Sequence, residues 1–222
     1  MAVAAAAVIS IRDHELPFDT HNLYDVTIST SQIHTLLTHT PSMVDTWLLS
    51  HAHSPSLVGL DVEWRPNRSS NSDNPIATLQ LCVSGHCLVF QILHAPSVPA
   101  SLTRFLAGDG GHVFVGVGID EDAEKLLCDY DLKVGRAVDL RGVAVERTGK
   151  ATMRGAGLSG IAKEVLGLVV AKPNRVRMGR WDSMWLTSAQ VQYACVDAFL
   201  AYEIARVLGL TASSTTSASA SS

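Results

Sequence analysis

The stretch 57-LVGLDVEW-64 alternates Val58, Leu60, Val62 and Trp64 with Leu57, Gly59, Asp61 and Glu63. That period of two is the signature of a β-strand. Side chains two residues apart share a strand face, about 6–7 Å from each other, so Asp61 and Glu63 point the same way from a strand whose other side chains are apolar. Two carboxylates on one buried face repel each other and lose hydration. Arg65, the nearest cation in sequence, falls in the polar loop that follows. The strand therefore requires a positive partner from elsewhere in the chain or from solution.

The surrounding composition is that of a globular domain. The 222 residues are 47% hydrophobic and 17% charged, with a formal net charge of −4, which excludes a basic nucleic-acid coat but not a local basic patch. No apolar run approaches the roughly 18–20 residues of a membrane helix, so no membrane partner is expected. The opening MAVAAAAVISI has no basic residue before Arg12, whereas a secretory leader carries a positive n-region. Cys82, Cys87, Cys128 and Cys195 form no disulfide framework. The expected placement is therefore nucleus or cytoplasm, not secretion, with no compact Lys/Arg cluster to choose between them. Residues 22–210 read as the folded domain, 1–21 as an N-terminal extension, either weakly structured or a first strand, and the Ser/Thr/Ala-rich 211–222 as a disordered tail.

Working outward, HNLYDVTISTSQIHTL (21–36) reads as one or two strands. The next segment reads as a helix with Thr40 at its N-cap, Pro41 just inside, and His51 and His53 at its favourable C-terminal end. IATLQLCV and CLVFQIL read as a hairpin, 97–111 as a helix stopped by glycines, and HVFVGVGI as a strand. DEDAEKLLCDYDL reads as a helix, AVDLRGVAVE as a short strand and its continuation, and GLSGIAKEVLGLVV as a helix. KPNRVRMGRWDSMW reads as an irregular basic loop and LTSAQVQYACVDAFLAYEIARVLGL as a long terminal helix. Strands gather early and helices dominate later, the pattern of an α/β domain on a mixed sheet.

Two later segments bring acids to the same sheet. In GVGIDEDAEKLL, Asp120 reads as the N-cap, Glu121 and Glu124 as solvated first-turn acids, and Asp122 lies one turn before Leu126 where it can face the sheet. In QYACVDAF, Tyr193 and Asp197 are four apart and share a helix face. The small residues Ala194, Ala198 and Ala201 sit on the adjoining face, where the helix can approach the sheet closely. Taken singly, acids at a helix start are usually caps and a Tyr–Asp pair one turn apart is usually surface decoration. Taken together, four carboxylates from three elements at one sheet edge make an oxygen-rich set suited to hard divalent cations.

The order Asp-x-Glu (61, 63), Gly-x-Gly-x-x-x-Asp (116–122) and Tyr-x-x-x-Asp (193–197), with IATLQLCV between the first two, resembles the DEDDy 3′→5′ exonucleases of the RNase H-like superfamily. Within them it resembles the Werner-type exonuclease domain and its stand-alone plant relatives, over about 25–208. The resemblance implies an α/β RNase H-like fold with a mixed five-stranded central sheet flanked by helices. It implies Asp61, Glu63, Asp122 and Asp197 as ligands of two Mg²⁺ or Mn²⁺ ions, Tyr193 positioning the attacking water, and Asp122 rather than Asp120 as the second-motif acid. The implied reaction is hydrolysis of phosphodiester bonds from a nucleic-acid 3′ end, DNA favoured over RNA, by two metal ions. The ions would be the positive partner that Asp61 and Glu63 require.

Lys172, Arg175, Arg177 and Arg180 suit contacts to the phosphates of an incoming strand, though the same charges also suit a solvated loop. Arg180 stands before Trp181 where the family carries an asparagine, a departure that bears on substrate handling. Two rivals stay open: a relative that binds nucleic acid or protein without cutting, and a ribonuclease on the same fold. Protein partners are not legible. GVGIDE fails the dinucleotide-binding pattern at Glu121, and Cys82, His86 and Cys87 fit a packed hairpin better than a zinc site.

Overall fold

The computed structural model describes residues 4–52, 55–67 and 73–212. His53, residues 68–72 of the polar loop and the tail from 213 lie outside the described residues. The strands are β1 (Ala5–Ala6), β2 (Ile9–Asp13), β3 (His21–Ile28), β4 (Ser31–Thr38), β5 (Leu57–Trp64), β6 (Ile76–Val83), β7 (His86–Phe90), β8 (Val113–Gly116), β9 (Arg136–Asp139) and β10 (Leu168–Val169). The helices are α1 (Pro41–His51), α2 (Ala100–Leu106), α3 (Ile119–Tyr130), α4 (Leu140–Thr148), α5 (Leu158–Leu166), α6 (Asn174–Arg177) and α7 (Ser188–Val207).

The alternating stretch is β5, inside an eight-stranded sheet of order β2-β3-β4-β7-β6-β5-β8-β9. β5, β6 and β7 form an antiparallel meander, and β8 and β9 run parallel to β5. These are the five mixed strands implied by the resemblance. The other three widen the sheet: β4 joins β7 in parallel, and β3 and β2 follow antiparallel. The N-terminal extension supplies β2 to the sheet, the first-strand alternative of its reading, while β1 pairs with β10. The β6–β7 turn has positive φ at both Ser84 (47°) and Gly85 (80°), the conformation that matches the twist of a two-residue hairpin.

The alternation in β5 sorts its side chains between two cores. Val58, Leu60 and Val62 pack with Val44, Trp47 and Leu48 of α1 and Leu102, Phe105 and Leu106 of α2. Leu57 faces the other way, into a core built with α4, α5 and α7. Asp61 and Glu63 share that second face and so point toward α7. Thr187 and Gln190 start α7 with a reciprocal capping box. Ala194, Ala198 and Ala201 are buried along it, and Gly59 lies directly beneath. A Cβ on Gly59 would stand 1.9 Å from the Ala198 carbonyl oxygen.

Three local readings change with tertiary structure. The N-cap of α3 lies two residues earlier than its acids suggest, at Gly118 with φ 80°, so Asp120 lies within the first turn and is not the cap. The continuation of β9 is helix α4, capped by Asp139, and the basic loop contains the single turn α6. Thr40 and Pro41 hold the expected positions at the start of α1, without a side-chain capping bond.

Gly59→Ala should destabilise the protein by about 3 kcal/mol or more, at the upper end of overpacking, because the clash is with backbone. A urea midpoint equal to that of the wild type would show that α7 is free to move off β5.

Candidate active site

The close approach of α7 determines the site. Tyr193 and Asp197, one turn apart on α7, are 8% and 4% exposed, so the pair faces the protein interior and is not surface decoration. Oxygen atoms of Asp61, Glu63 and Asp197 all lie within 4.8 Å of one another. Asp122 is outside that cluster but lines the same cavity, of about 350 Å³, with Tyr193, Val117, Trp64, Pro66 and Met178. The donor set is entirely carboxylate oxygen, the chemistry preferred by hard divalent cations.

A side chain from outside the strand meets the opening charge imbalance in part. The Lys172 ammonium lies 2.5 Å from Asp197 Oδ2 and 5.2 Å from the centre of the Tyr193 ring. One ammonium does not balance the acids. Burial, then the charges of Asp197 and Glu63, holds Asp61 well above the usual carboxylate range. Burial, then Asp197, pushes Glu63 up to about 8 against the opposing pull of Lys172. Burial, then Glu121 and Asp139, pushes Asp122 up to about 7. Burial also raises Asp197, with Lys172 opposing. The Tyr193 phenol is raised by burial and by Asp197, Glu63 and Asp61, so it is a protonated hydroxyl at neutral pH.

The basic residues divide. Lys172 and Arg177 line the cavity, and Arg177 also donates to Asn174 Oδ1 at 3.0 Å. Arg175 lines an adjoining pocket. Arg180 stands away from the carboxylates, its Nε 3.6 Å from Asp182 Oδ1.

Two supports escaped the sequence reading. Asp139 accepts from the Gly118 N–H at 2.9 Å and the Arg141 N–H at 2.8 Å, and its carboxylate pairs with the Arg141 guanidinium at 2.6 Å. Burial alone would raise Asp139; these bonds hold it below its usual range. They tie the end of β9 to the start of α3 and so fix where Asp122 points. The Asp-x-Arg after a short strand is a readable N-cap signal, but its link to Gly118 is tertiary. Beneath the acids, Gln80 and Thr78 pair in register with Asp61 and Glu63 and share a 2.6 Å hydrogen bond. Gln80 Oε1 is buried without a hydrogen-bond partner.

The 3′–5′ exonuclease family matches residues 37–211, and the chain belongs to it. A 3′–5′ exonuclease of Arabidopsis thaliana is 37% identical over 155 residues, 69% of this chain and 52% of that protein. The bifunctional 3′–5′ exonuclease/ATP-dependent helicase WRN of Mus musculus is 35% identical over 154 residues, 69% of this chain and 11% of that protein. A crystal structure of the EXD2 exonuclease domain is 30% identical, covers 78% of this chain and 88% of that one, and has a TM-score of 0.47. The chain therefore spans about half, or less, of the length of these two curated relatives. It carries a 3′–5′ exonuclease domain of RNase H-like fold.

Because the clustered carboxylates have raised pKa values, the folded protein binds their protons more tightly than the unfolded chain. That contribution to stability is complete below about pH 4 and is lost as pH rises through about 7 to 8. Glu63→Gln removes one such titration. In EDTA, wild type and Glu63→Gln should melt at similar temperatures near pH 5, and the wild type should fall below the variant by about pH 8. Added divalent cation should raise the wild-type Tm more than that of the variant, increasingly so over the same pH range. A difference independent of pH would contradict the raised Glu63 carboxyl.

Proposed function

We propose that the chain hydrolyses phosphodiester bonds stepwise from the 3′ end of a nucleic-acid strand, using two Mg²⁺ or Mn²⁺ ions. The observation that carries this reading is the convergence of Asp61, Glu63 and Asp197 oxygens within 4.8 Å, with charge that Lys172 alone does not neutralise. Asp61, Glu63 and Asp197 would hold the ions, and Asp122 would add a ligand from α3. Bound there, the ions would activate a water at neutral pH and stabilise the leaving 3′ oxygen.

The chain's own groups do the rest. Tyr193, kept protonated by its surroundings, orients the attacking water by hydrogen bonding and does not act as a base. Glu63 lies beside it in the same cavity and accepts from that water. Lys172 holds Asp197 in place, and Arg177 offers the cavity a guanidinium for a substrate phosphate. The preference for DNA follows from the Werner-type likeness alone.

The test is a 5′-labelled duplex with a recessed 3′ end, incubated with Mg²⁺ or Mn²⁺. Wild-type protein should give a ladder shortening from the 3′ end, and EDTA, Asp61→Ala and Asp197→Ala should each abolish it. Tyr193→Phe should slow cleavage roughly 100-fold, the low end of what a positioned proton-handling group contributes, with metal-induced stabilisation retained. Asp120→Ala should cut near the wild-type rate. A matched RNA strand reads the sugar preference. Failure of folded, metal-loaded protein to shorten either strand would overturn the exonuclease reading in favour of a binding module.

A further inference from the structure

An aromatic row lies on the same sheet edge as the carboxylates, outside their cavity. Trp185 is 68% exposed and Phe18 56% exposed. Trp185 lines a depression together with His21, Thr38 and Gln91, and Phe18 stacks on His21 with centroids 5.4 Å apart and planes at 16°. Trp185 and His21 thus share a depression at the ends of β7, β4 and β3, and Phe18 stacks on His21. A tryptophan is ordinarily among the more buried residues, so an open ring beside two others calls for an occupant.

The segment carrying Trp185 is fixed to the sheet. Gln91 Nε2 donates to the carbonyls of Ser183 at 3.4 Å and Met184 at 2.8 Å. His94 Nε2 meets the Asp182 carbonyl at 3.1 Å, and Arg65 Nη1 donates to Asp182 Oδ2 at 2.9 Å. The ring is exposed on a backbone held at several points, and its truncation leaves those bonds in place.

Position and charge indicate what the row binds. β4, β7 and β5 run in the same direction, so Thr38, Phe90 and the Asp61–Trp64 end of β5 share an edge. Three strand spacings separate β4 from β5, about 14 Å, a span that a few nucleotides of a single strand cover. Between them, Arg177 lines the cavity, and Arg65 and Arg180 share one carboxylate, Asp182, which leaves one guanidinium charge in excess; Asp19 is the acid that lines the depression. Exposed aromatic rings beside guanidinium groups are the combination that holds a single strand, bases stacked and phosphates paired.

We propose that Trp185, with His21 and Phe18, is a stacking platform for the bases upstream of the 3′ end, and that Arg180 contacts the phosphates between platform and cavity. This inference rests on the exonuclease reading and deepens it: the enzyme would measure a length of single strand as well as an end.

The test compares steady-state hydrolysis of a single strand of about 12 nucleotides, within the range that such platforms cover, with hydrolysis of a dinucleotide. Trp185→Ala should raise KM for the long strand about tenfold, the size of one base–aromatic stack, with kcat unchanged and the dinucleotide unaffected. Trp185→Phe should restore most of the loss, and adding Phe18→Ala to Trp185→Ala should deepen it. Wild-type KM for both substrates, or an equal rise for both, would overturn the platform. If the wild type cuts neither substrate, the exonuclease reading fails by itself, and fluorescence anisotropy of the labelled strand decides the platform. Weaker binding by Trp185→Ala would support it; equal binding would overturn it and leave the row to a protein partner.

Discussion

The packing of α7 onto β5 at Gly59 is the contact on which the site depends. Only a residue without a Cβ allows the Ala198 carbonyl this close, and buried alanines along α7 continue the approach. Asp197 precedes Ala198, and Asp61 and Glu63 follow Gly59 on the same strand face. The separation of helix and strand therefore sets the separation of the carboxylates. A bulkier helix face would satisfy the hydrophobic core equally well and leave the acids too far apart to act together.

That packing also creates an electrostatic debt within the folded chain. The carboxylates that converge here lose hydration together and raise one another's pKa values. Lys172 compensates one of them and, by lying over the Tyr193 ring, organises the pair on α7. The remaining imbalance is not what a purely structural cluster would keep, because a buried pair can usually be replaced by apolar packing with no loss of stability. Carboxylates retained against that pressure point to a cation acquired from solution, and the all-oxygen donor set narrows its class.

Periodicity made much of this legible in the sequence. The alternation in 57–64 placed Asp61 and Glu63 on one face, and helical spacing placed Tyr193 with Asp197. Small residues at 194, 198 and 201 correctly announced a close helix–sheet contact. What periodicity could not supply was anything set by partners distant in the chain. The Lys172–Asp197 pair spans 25 residues. The Asp139 bond that holds Gly118 spans 21, and without it Asp120 is the natural cap and the orientation of Asp122 stays ambiguous. Of the added strands, β3 and β4 fall in the stretch that reads as one or two strands; β2 is harder to read because it sits at an edge with no fully buried side chain.

Those added strands have a consequence for how the catalytic edge is used. In a five-strand sheet the edge would end with β7. Here β4 and β3 prolong it, and their ends carry Thr38 and His21 to a place where Trp185 and Phe18 can build on them. The sheet is wider on the side away from α3, so the surface beyond the carboxylates is asymmetric: helix on one flank, open rings and guanidinium groups on the other. On the reading proposed above, a strand entering the cavity would meet that open flank, and the order of strands in the sheet would set the direction in which its upstream nucleotides leave the site.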